Sequence, residues 1–184
     1  MQQLNHYKKH QFSPGKPVWV LAIWIMVSSL IFESNFFVIT RIKPFILRWF
    51  GASIGQNVVI KPNVKIKFPW RLTIGSYSWI GEGVWIDNLA AVDIGNHVCI
   101  SQNTQIITGN HAFDKSSFDL ITKPIVIKDQ VWIGARALIA PGVICEIGSV
   151  LLMGSVLLKK MNRYNIYRGH PAKFYKSRNS FSNG

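Results

Sequence analysis

The chain has 184 residues, and its 21 lysines and arginines outnumber its 8 aspartates and glutamates, which gives a formal net charge of +13 at neutral pH. This length predicts one domain with enough apolar residues for a core, and the charge favours anionic partners such as phosphates, nucleic acid or a membrane surface. Two cysteines, Cys99 and Cys145, exclude a disulfide-rich scaffold, and we expect both to serve as small apolar side chains.

The first fifty residues, 1–50, form an N-terminal segment in which Val18 to Phe32 is apolar and aromatic. This stretch is shorter than the roughly 20 residues that span a bilayer, and it lacks the cleavage site of a signal peptide. One interpretation is a partly helical cap on the open end of the domain that follows. The other is a helix on a membrane surface. In that case the headgroups would meet Trp19, Trp24, Arg41, Lys43 and Arg48.

An apolar residue then recurs at every sixth position through most of the chain. The register comprises Ile54, Ile60, Ile66, Ile74, Ile80, Ile86, Ile94, Ile100, Ile106, Ile127, Ile133, Ile139, Cys145, Leu151 and Leu157. A period of six predicts short strands and tight corners that stack into an all-β solenoid, with the isoleucines in columns along its core. Glycine often follows the isoleucine directly, and we expect it to supply unusual backbone angles at the corners. These glycines are Gly55, Gly75, Gly81, Gly95 and Gly134.

The interruptions of this register predict the shape of the solenoid. Ile66 to Ile74 and Ile86 to Ile94 are each eight residues apart, so three hexads and a short bulge make one coil of a three-sided prism. Residues 51–173 then form about five coils, followed by a basic tail at 174–184. The register has a much longer gap after Ile106. The residues in this gap, at about 109–124, should project as a loop from the same edge as the two bulges, and a long loop on a rigid scaffold is where function is expected. Asp87 and Asn88 should lie one coil, or roughly 4.8 Å, below Ile107 and Thr108.

Of the five histidines, His111 has the position of a catalytic residue. It lies at the root of the edge loop, and an imidazole that titrates near neutrality can take a proton from a hydroxyl. His97 lies in a Gly-Asn-His corner where a structural role is expected, and His6 and His10 lie in the polar N-terminus. A zinc site needs three protein ligands, and no second histidine is near His111 in sequence, so no metal is expected.

Several motifs resemble the left-handed β-helix hexapeptide acyltransferases. The residues that carry the resemblance are Val131-Trp132-Ile133-Gly134-Ala135, Pro141-Gly142-Val143, Gly154-Ser155-Val156 and Arg168-Gly169-His170-Pro171-Ala172-Lys173. A closer similarity, to the O-acetyltransferases of colanic acid and related exopolysaccharide biosynthesis, extends over nearly the whole chain. It rests on Phe45 to Ala52, on Trp85-Ile86-Asp87-Asn88-Leu89 and on Ile121 to Ile127. The family, and not the period, implies a left-handed parallel β-helix.

The resemblance also implies a homotrimer, with acetyl-CoA in a groove between neighbouring prisms and the edge-loop histidine as general base. That histidine corresponds to His111. The other positions that match are Asp87, Asn88 and Trp132 at the acceptor, Ala135 and Met153 along the pantetheine arm, and Lys159, Lys173 and Lys176 near the nucleotide phosphates. Family members often read Ser-His-Asp where this chain reads Asn110-His111-Ala112, so we expect Asp114 or a backbone carbonyl to orient the imidazole. Cys145-Glu146 replaces a usual Ile-Gly pair and predicts a strained corner.

The expected function is acetyl transfer from acetyl-CoA to a sugar hydroxyl during surface polysaccharide biosynthesis. The acceptor would be a sugar or a lipid-linked glycan, met in the cytoplasm or in peripheral contact with the inner face of the membrane, and no nucleic acid partner is expected. Two alternatives stay open: N-acetylation of an amino sugar, and a non-catalytic scaffold that binds anionic partners.

Overall fold

A computed structural model describes residues 4–7, 12–34 and 40–178. Its strands form the three faces of a left-handed parallel β-helix, as predicted. The first face contains β1 (Ser53–Ile54), β4 (Leu72–Ile74), β7 (Val92–Ile94), β12 (Ile125–Ile127) and β15 (Ile144–Cys145). The second contains β2 (Val59–Ile60), β5 (Trp79–Ile80), β8 (Cys99–Ile100), β13 (Trp132–Ile133), β16 (Val150–Leu151), β18 (Asn165–Gly169) and β19 (Ala172–Ser177). The third contains β3 (Lys65–Ile66), β6 (Trp85–Asp87), β9 (Gln105–Ile107), β14 (Leu138–Ile139) and β17 (Val156–Leu157).

The core columns follow the predicted register. On the first face Ile54, Ile74, Ile94, Ile127 and Cys145 lie one above the other as strand partners. The second and third faces repeat the pattern with the columns from Ile60 to Leu151 and from Ile66 to Leu157. All of these side chains are buried. Parallel stacking places equivalent residues of successive coils in contact, so a period in sequence becomes a column in space.

The solenoid has about six turns, slightly more than the predicted five. Tyr167 on β18 extends the second face one strand beyond Leu151, and Met161 bridges to Cys145 on the first face. The hexad register is irregular after Leu157, which is why the sequence underestimates the count. After β18, strand β19 turns back antiparallel and carries regular structure through Ser177, into the segment predicted as a basic tail.

The glycines that follow the core isoleucines are needed for a different reason from the predicted one, which was unusual backbone angles. Gly75 and Gly134 do not have left-handed backbone angles; instead, a Cβ on Gly134 would lie 2.5 Å from the backbone nitrogen of Met153 in the next coil. These positions therefore need space for the neighbouring coil rather than conformational freedom. The left-handed angles occur two residues later, where the chain turns, as at His97 with φ 55°. The His97 ring stacks on that of Tyr77, 5.1 Å away, in the structural role expected for it.

The N-terminal segment forms the predicted helical cap. Helix α1 (Val18–Val27) continues into a π-helical turn at Ser28–Phe32, and α2 (Lys43–Trp49) follows a short 3-10 turn at Thr40–Ile42. Trp24 Nε1 donates a hydrogen bond of 2.9 Å to the carbonyl of Ile66, and Leu47 is completely buried against the first coil. The cap thus covers the open end of the first coil. Within the described residues, every helix is too short or too polar to cross a membrane.

The predicted edge loop is a β-hairpin on the edge between the third and first faces, which we call the loop edge. Its strands are β10 (Gly109–His111) and β11 (Leu120–Thr122), and His111 pairs with Leu120. Thr108 fixes the hairpin root: its hydroxyl donates to the carbonyl of Asp87 at 2.9 Å, and its own carbonyl accepts from the backbone of Lys123 at 2.9 Å. Asp87 lies one coil below Ile107, as predicted.

The corner at Cys145-Glu146 is stabilised by charge. The Glu146 carboxylate lies 2.6 Å from Lys128 Nζ and 2.7 Å from Lys160 Nζ, and hydrogen bonds from these two lysines lower the pKa of Glu146 to about 2. Glu146 has no left-handed angle, which Gly148 adopts instead, so the expected strain is not found. Both cysteines are free thiols, and burial raises the pKa of Cys145 to about 12.

Candidate active site

His111 is held in one orientation at the end of β10. Its Nδ1 lies 2.8 Å from the backbone carbonyl of Phe118, and its ring lies parallel to the Phe118 ring at a centroid distance of 4.3 Å. Because a carbonyl oxygen can only accept, Nδ1 must carry the proton in this contact. Nε2 then keeps its lone pair, so the imidazole can act as a general base through that atom.

The carbonyl that orients His111 is made available by the shape of the hairpin. Phe118 has a left-handed φ of 48°, and its backbone nitrogen donates to the carbonyl of Lys115 in a turn. The Asn110 side chain accepts a hydrogen bond of 2.8 Å from the His111 backbone. Of the two predicted orienting groups, the structure therefore has the backbone carbonyl and not Asp114. A neutral acceptor fixes the tautomer without adding a negative charge beside the imidazole.

The two predicted acceptor residues on the coil below have different environments. The Asp87 side chain is largely covered and lies 2.9 Å from Lys67 Nζ. Asn88 is completely buried, and its amide accepts from the backbone nitrogen of Phe68 at 2.9 Å and donates to the Phe68 carbonyl at 2.7 Å. Asn88 thus connects two coils and presents no surface to an acceptor, whereas Asp87 lies at the loop edge where an acceptor could approach.

Trp132 lies far around the prism from His111. It is on β13 of the second face, half-exposed, and its Nε1 donates to the Ser101 hydroxyl at 3.0 Å. In a three-sided prism the second face is opposite the edge where the third and first faces meet. A single chain therefore does not bring Trp132 to its own His111.

The predicted coenzyme residues are also distributed around the prism. Ala135 and Met153 follow strands of the second face at its edge with the third, and the Ala135 carbonyl accepts from the backbone of Gly154 at 2.8 Å. Lys159 follows β17 at the loop edge, whereas Lys173 and Lys176 are exposed on β19 of the second face. These residues form one groove only if the loop edge of one prism meets the second face of another.

Sequence reasoning did not identify Phe118 or Tyr7 as neighbours of His111. The Tyr7 and His111 ring centroids are 6.0 Å apart, with a tilt of 60° between the rings. Neither residue occupies a position in the hexad register. The same loop also contains Phe113, so the sequence has no signal that would identify Phe118 rather than Phe113 as the neighbour of His111.

In residues 4–7, 12–34 and 40–178, no three histidine, cysteine, aspartate or glutamate side chains are close enough to hold a metal ion.

No family model matches the chain. It is 36% identical over 178 residues to the protein named colanic acid biosynthesis acetyltransferase WcaF of Escherichia coli, an alignment that covers 97% of this chain and 98% of that protein. The chain belongs to this family of acetyltransferases. It is also 28% identical over 125 residues to the galactoside O-acetyltransferase of Escherichia coli, which covers 66% of this chain and 62% of that one.

Solved structures agree with this assignment. The hexapeptide-repeat acetyltransferase VCA0836 of Vibrio cholerae superposes with a TM-score of 0.80 at 26% identity, covering 89% of this chain and 93% of the other. Its complex with acetyl coenzyme A superposes with a TM-score of 0.82 at 24% identity, over 96% and 97% of the two chains. The predicted family and enzyme class are therefore confirmed. The roles of individual site residues stay predictions.

Proposed function

We propose that this acetyltransferase moves the acetyl group of acetyl-CoA to a hydroxyl of a sugar in a surface polysaccharide or its lipid-linked precursor. The observation that carries the proposal is the His111 imidazole, with Nδ1 engaged by the Phe118 carbonyl and Nε2 left to accept a proton. The similarity to a colanic acid biosynthesis acetyltransferase and to a galactoside O-acetyltransferase supports a sugar hydroxyl as the acceptor.

In the proposed reaction, Nε2 of His111 takes the proton of the sugar hydroxyl while the hydroxyl oxygen attacks the thioester carbonyl. The tetrahedral intermediate then collapses, the carbon–sulfur bond breaks, and the proton on His111 passes to the departing thiolate. The products are a sugar acetate ester and free CoA. General base catalysis of this kind contributes roughly 10²–10⁴-fold to the rate, and the positioning of two bound substrates contributes much of the rest.

We further propose that the enzyme is a homotrimer whose active sites lie between neighbouring prisms. The loop edge of one chain, which carries His111, would pack against the second face of the neighbouring chain. Trp132 on that second face would then lie beside the acceptor. The backbone at Ala135 and Met153 would hold the pantetheine arm. This arrangement accounts for predicted site residues that point away from each other within one chain, because closed rotational symmetry joins two different surfaces at every boundary.

A direct assay tests the proposed reaction. The enzyme is incubated with acetyl-CoA and a panel that contains methyl β-galactoside, maltose and glucosamine, and free thiol is measured with the acetylated product. We expect thiol release with neutral sugars and a product that mild alkali cleaves, as it does an ester. Thiol release with glucosamine alone, and an alkali-stable amide product, would instead establish N-acetylation. Absence of thiol release with any acceptor would favour a non-catalytic scaffold.

The lysines near the proposed nucleotide end give a prediction for coenzyme binding. Changing Lys159, Lys173 and Lys176 together to alanine should raise the KM for acetyl-CoA severalfold at low salt and leave the acceptor KM nearly unchanged. Each exposed lysine–phosphate contact contributes on the order of 1 kcal/mol or less, and added salt screens it. Kinetics at low and high salt measure the effect. The triple alanine variant of Lys16, Lys61 and Lys65 removes the same charge around the first coil as a control. Equal acetyl-CoA KM values in wild type and the first variant would refute the assignment.

We also propose peripheral contact with the inner face of the membrane through the cap. Trp19 and Ile25 on α1 and Trp49 on α2 are 67%, 64% and 78% exposed, although α1 consists entirely of apolar residues. A helix that is apolar on all sides is normally covered. Lys16 lies just before α1 and Arg41 just before α2, and both are exposed, so anionic headgroups complement this surface.

Cosedimentation with vesicles tests the membrane contact. The enzyme should bind vesicles with about a third phosphatidylglycerol more strongly than vesicles of phosphatidylcholine alone, because basic residues near the surface each contribute about 1 kcal/mol with anionic lipid. Ile25→Glu should weaken binding, whereas Phe174→Glu, on the exposed β19, should not. Equal binding to both vesicle types, or no loss with Ile25→Glu, would exclude the cap as the membrane-binding surface.

A further inference from the structure

The segment that precedes α1 is anchored to the loop edge of the first coils. Trp70, in the 3-10 turn Pro69–Arg71 between β3 and β4, donates a hydrogen bond of 2.7 Å from Nε1 to the Pro14 carbonyl. The Arg71 guanidinium donates to the carbonyl of Ser13 and to that of Leu89, which lies on the loop edge one coil above. Arg71 therefore fastens this N-terminal segment to the stack of turns that ends in the hairpin.

Aromatic rings reinforce the same anchor. Phe12 stacks on Phe68 at a centroid distance of 6.1 Å, and the Arg71 guanidinium lies 5.2 Å and 5.3 Å from the centres of these two rings. Cation–π contacts of this kind favour a fixed position for the segment. Phe68 lies two coils below the hairpin, a rise of about 10 Å. The five residue steps from Phe12 to Tyr7 can span up to about 17 Å, so the chain can reach the hairpin from this anchor.

Tyr7 lies at the loop edge beside His111. It is half-buried and follows the short 3-10 turn Leu4–His6, with its backbone nitrogen 3.2 Å from the Leu4 carbonyl. Its ring centroid lies 6.0 Å from that of His111, while the parallel Phe118 ring covers one face of the imidazole at 4.3 Å. With Nδ1 engaged by Phe118 as well, an acceptor hydroxyl must approach Nε2 from a side that Phe118 leaves open. Tyr7 is the second aromatic ring beside the imidazole in the part of the chain that the structure describes.

We infer that Tyr7 is an acceptor-binding residue that selects the sugar presented to His111. The inference rests on the proposed function and deepens it. A tyrosine offers an apolar ring for the C–H face of a pyranose and a hydroxyl for its polar edge, which suits a sugar better than an aliphatic side chain does. The sugar ring that carries the reacting hydroxyl lies within contact distance of the base. A residue beside the base, such as Tyr7, is therefore placed near the acceptor rather than near the nucleotide end of acetyl-CoA.

The kinetic test uses Tyr7→Ala and Tyr7→Phe in the full chain, with methyl β-galactoside and maltose as acceptors. Tyr7→Ala should raise the acceptor KM by severalfold to about tenfold and leave the acetyl-CoA KM unchanged, and Tyr7→Phe should recover most of the loss because it keeps the ring. Tyr77→Ala is the matched control, since Tyr77 stacks on the exposed His97 at a different edge of the prism. It should leave both KM values unchanged.

A second measurement does not depend on turnover. Diethyl pyrocarbonate modifies accessible imidazoles, and peptide mass spectrometry follows each histidine separately. Tyr7→Ala should speed modification of His111 severalfold and leave His97 unchanged, and Tyr77→Ala should do the reverse.

The outcomes separate the two proposals. An active wild-type enzyme whose acceptor KM and His111 modification rate are both unaffected by Tyr7→Ala would overturn the inference alone. Equal rises in the acceptor and acetyl-CoA KM values would overturn it too, because they would show a general structural role. A wild-type enzyme that acetylates no sugar would overturn the proposed function, and the acceptor role of Tyr7 with it.

Discussion

His111→Ala should lower the turnover number by at least about 10²-fold, and by up to about 10⁴-fold, when acetyl-CoA and acceptor are saturating. The variant lacks the Nε2 lone pair that takes the proton from the acceptor hydroxyl, so the loss should appear in kcat rather than in the acetyl-CoA KM. The fold should persist because His111 lies on the hairpin, outside the buried columns of the solenoid. Steady-state kinetics, calorimetric titration with CoA and thermal unfolding measure the three quantities separately.

His97→Ala is the matched control for this experiment. Like His111, His97 is in contact with an aromatic ring, but it occupies a left-handed corner between the first and second faces. Its removal should leave kcat within about twofold of the wild type, since His97 lies away from the loop edge and also from the edge between the second and third faces, where the proposed pantetheine groove is. Wild-type turnover in pure His111→Ala, measured with an acceptor that the enzyme acetylates, would remove His111 from the mechanism.

Mixing two inactive variants should restore activity if the sites lie between chains. His111→Ala removes the base from the loop edge, and Ala135→Trp obstructs the proposed pantetheine groove at the opposite side of the prism. Each variant alone should be inactive. Every trimer that contains both variants has one boundary in three at which an intact His111 meets an intact Ala135, so about a third of wild-type turnover should return in the isolated mixed trimers. Co-expression with two affinity tags isolates the mixed trimers, and light scattering verifies three chains.

The design distinguishes a shared site from a site within one chain. If His111 and Ala135 of the same chain cooperated, every chain in the mixture would carry one defect and no activity would return. Mixing the separately purified variants without subunit exchange is the control for contaminating wild type, and it should stay inactive. A fully active monomer in light scattering would contradict both the trimer and the shared groove.

The fold could be predicted from the sequence because the solenoid converts sequence period into spatial contact. Ile74, Ile94 and Ile127 are strand partners in one column, and the register alone placed them there. The position of Asp87 below Ile107, and the edge from which the loop leaves, followed from the same arithmetic. Each coil contacts mainly its neighbours, so a local pattern is sufficient to determine the stack.

The glycine pattern identifies the corners of the coils, but the sequence does not show why glycine is needed there. Gly134 was recognised as a corner residue, but the close approach of Met153 depends on the distance between coils, which no single coil reveals. Asn88 was likewise placed at the correct edge, and only the structure shows that its amide is taken up by Phe68. Burial and hydrogen-bond partners are properties of the stacked coils rather than of one coil.

For the active site, the sequence by itself determined that a histidine stands at the root of a long edge loop on a hexapeptide solenoid. The tertiary structure decided what surrounds that histidine: the left-handed turn that points the Phe118 carbonyl at Nδ1, and the Tyr7 ring beside the imidazole. It also placed Trp132 on the face opposite His111. These contacts join residues outside the repeat, so no period constrains them, and they form only when the hairpin and the N-terminal segment fold against the finished prism.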